Sequence, residues 1–60
     1  MKLYQIKAIN RYGDPDRFIG GIWTNKDKVN LECLSYNNSD RFKEITDARK
    51  FEIVEFESED

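Results

Sequence analysis

The side chains of this 60-residue chain most able to do chemistry are twelve carboxylates and one thiol, and there is no histidine beside them. General acid–base catalysis needs carboxylates whose environments push their pKa values apart, and no acid here is flanked by a pattern that predicts burial. Cys33 lacks histidine, the commonest base for activating a thiol, so we interpret it as a small core residue. The sequence therefore predicts a protein that is not an enzyme.

Cofactor and metal motifs are also missing from the residue pattern. Gly20-Gly21 is not followed by the Lys-Ser/Thr that completes a phosphate loop. Asp14, Asp16 and Asp40 do not have the spacing of a calcium loop. One cysteine without histidine excludes an intrachain disulfide and a Cys/His zinc site. We predict no cofactor and no metal.

Unlike catalytic and metal-binding motifs, residue types typical of binding surfaces are present in this sequence. Trp, Tyr and Arg dominate the energetics of protein interfaces. Candidates fall around the first predicted turn, at the end of the second predicted strand and in the connection 37–49. Each has an ordinary alternative: turn residues are usually only solvated, and a tryptophan in so small a domain can simply lie over the edge of the core. The candidate partner-binding residues are Arg11, Tyr12, Arg17, Trp23, Arg41 and Phe42.

Charge is distributed unevenly although the net charge is only −2. Residues 1–13 contain Lys2, Lys7 and Arg11 without an acid, and residues 51–60 contain five acids without a base: Glu52, Glu55, Glu57, Glu59 and Asp60. Two interpretations stay open, a solvated surface with an acidic tail frayed from about residue 57, or a nucleic-acid-related module. Such a module would bind through the basic residues, with Arg17, or imitate a nucleic acid through the acids. Binding to many phosphates is not expected at this net charge.

A chain of this size forms one domain, 1–60, of marginal stability, because it buries only roughly 60% of its unfolded surface. Association with a host protein, or with itself as a homodimer, would supply stability. A lone cysteine suits a reducing cytoplasm. "LYQIKAIN" is too short and polar for a signal peptide, and no apolar run approaches the roughly 20 residues of a membrane span. We expect a soluble, cytoplasmic protein without a membrane segment.

Three segments have the pattern of strands. "KLYQIKAIN" (2–10) alternates, and after a turn over 11–17 built on Gly13 and Pro15, "FIGGIWT" (18–24) returns beside it with Gly20-Gly21 as a predicted bulge. The last strand is "KFEIVEFES" (50–58), whose two apolar faces suit a middle strand or one that meets a partner. The predicted faces are Tyr4, Ile6 and Ala8 against Leu3, Gln5, Lys7 and Ile9 in the first strand, and Phe51 and Ile53 against Val54 and Phe56 in the last.

"NKDKVNLECLSY" (25–36) fits a helix better than a strand, because strand alternation fails at Leu34. As a helix it has two apolar groups on opposite sides: Val29, Cys33 and Tyr36 on one, Leu31 and Leu34 on the other. We predict a cap at Thr24 with Asp27, and an end at "NNSD" (37–40). The second apolar group either wraps round the core edge or forms a contact surface. Residues 41–50 could be a helical turn or an irregular loop, with a short extra turn or helix expected within 40–48.

The order of these elements resembles a broad group of small one-domain proteins of unknown function that are frequent in bacteriophage and bacterial genomes. The residues that carry the resemblance are Tyr4 and Ile6, Gly21-Ile22-Trp23-Thr24, Lys26-Asp27-Lys28-Val29 and Phe51-Glu52-Ile53-Val54-Glu55. The helix departs from the group at Asn30, Cys33, Ser35 and Asn37. The resemblance implies the fold and a phage-like setting, and it carries no functional residues across.

Together these observations predict an α+β fold, with a three-stranded, mainly antiparallel sheet in β-β-α-β order and one helix on one face. The uncovered face would carry either Leu3 and Ile9 or the residues opposite to them, and it is the natural place for dimerisation. The leading functional hypothesis is a phage-encoded binding protein that docks on a host protein in the host cytoplasm and modulates or inhibits it. The nucleic-acid-related module and a structural homodimer are the alternatives.

Overall fold

The computed structural model of the protein describes residues 1–58, which form a sheet with two helices. The strands are β1 (Lys2–Asn10), β2 (Pro15–Trp23) and β3 (Ala48–Glu57), and the helices are α1 (Lys26–Asn37) and α2 (Asp40–Thr46). The strand order is β2-β1-β3, with β1 antiparallel to both neighbours. The predicted α+β class and antiparallel sheet are confirmed.

The order of elements is β-β-α-α-β and differs slightly from the predicted β-β-α-β, because the short extra turn or helix expected within 40–48 is a second helix between α1 and β3. α2 is short, but its ends are fixed. The Ser39 hydroxyl accepts a hydrogen bond from the Phe42 amide at 3.1 Å, and Asp47 ends the helix with a left-handed φ of 54°. The phenyl ring of Phe42 stacks on Tyr36, with ring centroids 4.5 Å apart. Capping and aromatic packing therefore stabilise a helix too short to persist by itself.

The core lies between the helices and one face of the sheet. Tyr4, Ile6 and Ala8 of β1, which the alternating pattern placed on one face, are buried together with Phe51 of β3, so this is the face that the helices cover. Val29 and Cys33 of α1 cover them, and Ile6 and Val29 are fully buried. Tyr36, Ile19 and Ile53 pack around this cluster. The interpretation of Cys33 as a small core residue is confirmed.

Two local boundaries differ from the prediction. α1 is capped by Asn25 and not by Thr24, since the Asn25 side chain accepts from the Lys28 amide at 3.1 Å. The first turn is shorter than predicted, because β2 already begins at Pro15, the first strand position, where proline is tolerated. The turn depends on Asn10, whose side chain accepts from the amides of Tyr12 and Asp14, and on Gly13 at φ 85°.

The predicted bulge in β2 is present. One residue of β1 between Tyr4 and Ile6 faces three of β2 between Ile19 and Trp23, and Gly20 and Gly21 have φ values of 82° and 79°. At the other end of the sheet, Glu57 is the last residue of β3 and the Ser58 amide donates to the Met1 carbonyl at 2.8 Å. The rest of the predicted acidic tail, Glu59 and Asp60, lies outside the described residues.

Candidate functional site

One face of the sheet is not covered by either helix, and we call it the open sheet face. Residues opposite one another in an antiparallel ladder point to the same side, so the register defines its members. They are Leu3, Gln5, Lys7 and Ile9 of β1, Lys50, Glu52, Val54 and Phe56 of β3, and Phe18 of β2. Ile9, opposite Pro15 and Lys50, is buried, whereas Leu3, Val54 and Phe56 are half-buried and Phe18 is 55% exposed.

The open sheet face has an apolar end and a charged end. Leu3 lies opposite Phe56 at the apolar end. At the charged end, the Glu52 carboxylate is 2.9 Å from the Lys50 ammonium and 3.7 Å from that of Lys7. The hydrogen bond from Lys50 is the main reason why the pKa of Glu52 is lowered. The face therefore has an apolar end beside a charged end, and protein interfaces likewise combine an apolar core with a polar rim.

The helix layer presents a second, smaller apolar group to solvent. Leu31 and Leu34, one turn apart on α1, are 68% and 57% exposed, while Val29 and Cys33 on the other side are buried. Ile45 of α2 is also exposed. The two apolar groups predicted for this helix are confirmed, and the outer one does not fold over the core edge.

β3 is an edge strand, and Asn37 caps its outer edge at one point. The Asn37 side chain accepts a hydrogen bond from the Phe51 amide at 2.8 Å and donates one to the Phe51 carbonyl at 3.0 Å. The Cys33 thiol also donates to this carbonyl, at 3.4 Å. The carboxamide of Asn37 thus occupies the place that a residue of a fourth strand would take.

The six predicted binding residues do not form one surface. The guanidinium of Arg11 lies 2.7 Å from the Asp47 carboxylate, and that of Arg17 donates to the Thr46 carbonyl at 3.5 Å. Both therefore sit beside the end of α2, with the 81% exposed Tyr12 in the adjoining turn. Arg41 is exposed on α2.

Trp23 and Phe42, the two apolar candidates, are half-buried against the core. Trp23 lies opposite Tyr4, at the other end of the sheet from the first turn, so its ring closes the core edge. Its indole N–H is buried without a hydrogen bond to any residue among 1–58. The ring of Phe42 is 5.5 Å from that of Phe51.

The basic residues named for nucleic-acid contact are engaged within the fold. Lys2 lies 3.2 Å from the Glu55 carboxylate, whose hydrogen bond and charge raise the pKa of Lys2. Lys7 pairs with Glu52 and Arg11 with Asp47. These ion pairs also occupy Glu52 and Glu55, two of the acids named for nucleic-acid mimicry, so the described geometry gives that alternative no specific support.

The sequence pattern did not indicate that Asn37 binds the edge strand of the sheet. In the sequence it belongs to "NNSD", where we interpreted it only as a helix-stopping residue. No local signal distinguishes it from Asn38, because its partner Phe51 is 14 residues away along the chain. For the open sheet face, by contrast, the strand alternation predicted that Leu3 and Ile9 share one face and that Val54 and Phe56 share one, but it left open which face of the sheet is uncovered.

Comparisons of the chain with protein-family models, with curated proteins and with solved structures found no match. Residues 1–58 include no helix with the length and apolar character needed to cross a membrane.

Proposed function

We propose that this chain is a non-enzymatic protein-binding domain that docks on a partner protein through its open sheet face. The observation that carries the proposal is the one-sided packing of the fold. Both helices cover the same face of the sheet, and Leu3, Phe18, Val54 and Phe56 are left on the other. Covering side chains of this kind contributes roughly 1.5–3 kcal/mol each when burial is complete.

The resemblance to small phage and bacterial proteins supports a more specific form of the proposal. The partner would be a protein of a bacterial host, and docking in the host cytoplasm would modulate or inhibit it. This part depends on the sequence resemblance and on the small size of the domain.

A homodimer through the same face is a second candidate. The two longer extents of the fold, 36 and 21 Å, bound an area comparable to the roughly 800 Å² that each partner buries in a standard interface. A second copy would then cover the apolar end of the face and add the stability that a small domain lacks.

Phe18 and Leu34 offer a matched pair of variants for testing the docking face. Their side chains are 55% and 57% exposed, but Phe18 lies on the open sheet face and Leu34 on the helix layer. Tagged wild type, Phe18→Lys and Leu34→Lys would be incubated with bacterial lysate, with and without nuclease treatment, and washed at low and at high salt. Circular dichroism would first establish that both variants fold.

We expect wild type and Leu34→Lys to retain one dominant protein, and Phe18→Lys to lose it. Loss with Leu34→Lys alone would move the docking surface to the helices. Capture abolished by nuclease or by salt would favour the nucleic-acid-related module. If wild type captures nothing but sediments as a concentration-dependent dimer, the homodimer replaces the leading proposal.

A further inference from the structure

The alternation of the β1–β3 ladder determines which backbone groups of β3 face outward. The amide and carbonyl of Phe51 bind Asn37 and therefore point away from β1. In an antiparallel pair, alternate residues bond to the neighbouring strand and those between them point the other way. The backbone groups of Ile53, Glu55 and Glu57 consequently face the outer edge, and those of Glu52, Val54 and Phe56 face β1.

This stretch of β3, residues 53–57, is the better of the two edges for accepting a further strand. The β2 edge is interrupted by the Gly20-Gly21 bulge and begins with Pro15, both of which obstruct strand pairing. On β3, Asn37 blocks the edge at Phe51 and so confines any added strand to the following residues. We call residues 53–57 the β3 docking edge.

The side chains of the β3 docking edge on the helix side are Ile53, Glu55 and Glu57, and those on the opposite side are Val54 and Phe56. Glu55 and Glu57 are exposed on the helix side, whereas Val54 and Phe56 continue onto the open sheet face. Lys2 and the N-terminal ammonium already pair with Glu55 and Glu57, at 3.2 and 3.5 Å. A carboxylate has two oxygens and about four lone-pair sites, so each can accept a second cation from its outer side.

A second copy of this chain is a poor occupant of the edge. Because Asn37 prevents a strand from sliding past Phe51, antiparallel self-pairing would set the segment with Glu55 and Glu57 beside its own copy. Like charges on neighbouring strands destabilise the pair. An occupant with cations at alternate positions would instead match these carboxylates.

We infer that the β3 docking edge accepts, as a fourth strand, an extended segment of a partner protein in which Lys or Arg alternates with apolar residues. The basic residues would face Glu55 and Glu57, and the apolar ones would extend the surface of Val54 and Phe56. This inference rests on the proposed protein-binding function and names the segment of the partner that it requires. Main-chain hydrogen bonds would supply affinity and the alternate side chains would supply specificity.

Nuclear magnetic resonance of the full ¹⁵N-labelled chain tests the inference with the peptide Ac-TKVKVKT-NH2 at millimolar concentration. We expect the amides of Ile53, Glu55 and Glu57 to shift and to become protected from hydrogen exchange. The control peptide Ac-TEVEVET-NH2 keeps the apolar residues and reverses the charges, and it should leave the same amides unchanged.

Two variants of Glu55 distinguish the contribution of its backbone amide to peptide binding from the contribution of its side-chain charge. Glu55→Pro removes an outward amide without removing a bond to β1, so the fold should persist and peptide affinity should fall at least about tenfold. Glu55→Gln keeps the amide and should reduce affinity about threefold, the scale of one cross-strand charge pair. Protection of the amides of Glu52, Val54 and Phe56 would establish that each variant is folded.

Three results would overturn the inference: equal binding of the two peptides, shifts confined to the helix layer, or undiminished binding by folded Glu55→Pro. If the lysate partner is nevertheless captured and lost with Phe18→Lys, the docking edge fails while the proposed function stands. If no partner is captured at all, the proposed function fails, whatever the peptide does.

Discussion

At the scale of single residues, Asn37 connects the helix layer to the edge of the sheet. Its carboxamide binds both backbone groups of Phe51, and its amide nitrogen lies 3.6 Å from the Cys33 sulfur. An aspartate could accept from the Phe51 amide but could not donate to the carbonyl. Position 37 therefore requires an amide side chain. The neighbouring Asn38 differs, because it is exposed and acts as the C-cap of α1 through its backbone N–H.

Replacing Asn37 by alanine should destabilise the fold by about 1–3 kcal/mol, because the Phe51 amide would lose its partner at a partly buried position. Asn38→Ala is the matched control and should change stability by less than about 0.5 kcal/mol. Urea unfolding of both variants measures the difference. Equal effects would show that the Asn37 contacts contribute nothing beyond those of an exposed helix end.

Cys33 should make the stability of the domain fall at alkaline pH. Burial raises the pKa of its thiol above the ordinary value of 9.0, so the unfolded chain loses this proton first. The contribution is fully present below pH 9.0 and is lost as the pH rises through the higher pKa of the folded thiol. Unfolding free energies of wild type and Cys33→Ala, measured across this range, should converge as the pH rises. Parallel curves would contradict the assignment.

At the scale of elements, the two sides of β3 differ in function: one side closes the sheet against β1, and the other remains at the edge. Native-state hydrogen exchange should show this directly. The amides of Glu52, Val54 and Phe56 should exchange slowly, and those of Ile53, Glu55 and Glu57 faster, since only the first set bonds to β1. The Phe51 amide also points outward but should be slow, because Asn37 accepts its hydrogen bond. Uniform protection along β3 would exclude an open edge.

The strands and the first helix were predictable because their patterns are periodic. Alternation placed Tyr4 and Ile6 on the same face of β1 but left open which face is the core, and the two-sided pattern of α1 separated Leu31 and Leu34 from the stripe of Val29 and Cys33. The strand order was not predictable, since β3 is apolar on both faces near its centre and suited a middle strand, yet it lies at the edge. β3 pairs with β1 so that Ile53 lies opposite Ile6 and Val54 opposite Gln5. These residues are far apart in the sequence, so no local pattern indicates which of them are partners.

The extent of the second helix and the surroundings of the candidate binding residues were harder to predict, because both depend on tertiary contacts. α2 has seven residues, fewer than a helix needs by propensity alone, and depends on the Ser39 cap and on Phe42 packing. Arg11 and Arg17 were proposed as binding residues because of their residue type alone. Residue type does not reveal that both side chains contact the end of α2. Distant contacts of this kind leave no local pattern.

At the scale of the whole molecule, cross-strand ion pairs connect the basic first strand with the acidic last strand. Lys2 and Lys7 of β1 face Glu55 and Glu52 of β3, and Lys50 also binds Glu52. All of these groups are partly or largely exposed, so each pair contributes little by itself and is screened by salt.

Acidification should nevertheless weaken the fold through Glu52. The hydrogen bond from Lys50 lowers the pKa of Glu52 below its ordinary value of 4.5, so the unfolded chain takes up this proton first. The contribution is present above pH 4.5 and is lost as the pH falls through the lower pKa of the folded state. Thermal midpoints of wild type should therefore fall more steeply on acidification than those of Glu52→Gln. Identical slopes would contradict a role for this pair.

The position of β1 in the centre of the sheet has a consequence for how the chain folds as it is synthesised. β1 is the first strand to leave the ribosome, but one of its two partners is the last, with Lys2 opposite Glu57. Until β3 emerges, the sheet of a nascent chain consists only of the β1–β2 hairpin, and a two-stranded hairpin is marginal in water. Tyr4, Ile6 and Ala8 therefore remain without the Phe51 side of their core until β3 has been synthesised. Folding of this domain therefore awaits the synthesis of β3 and depends on contacts between residues far apart in the sequence.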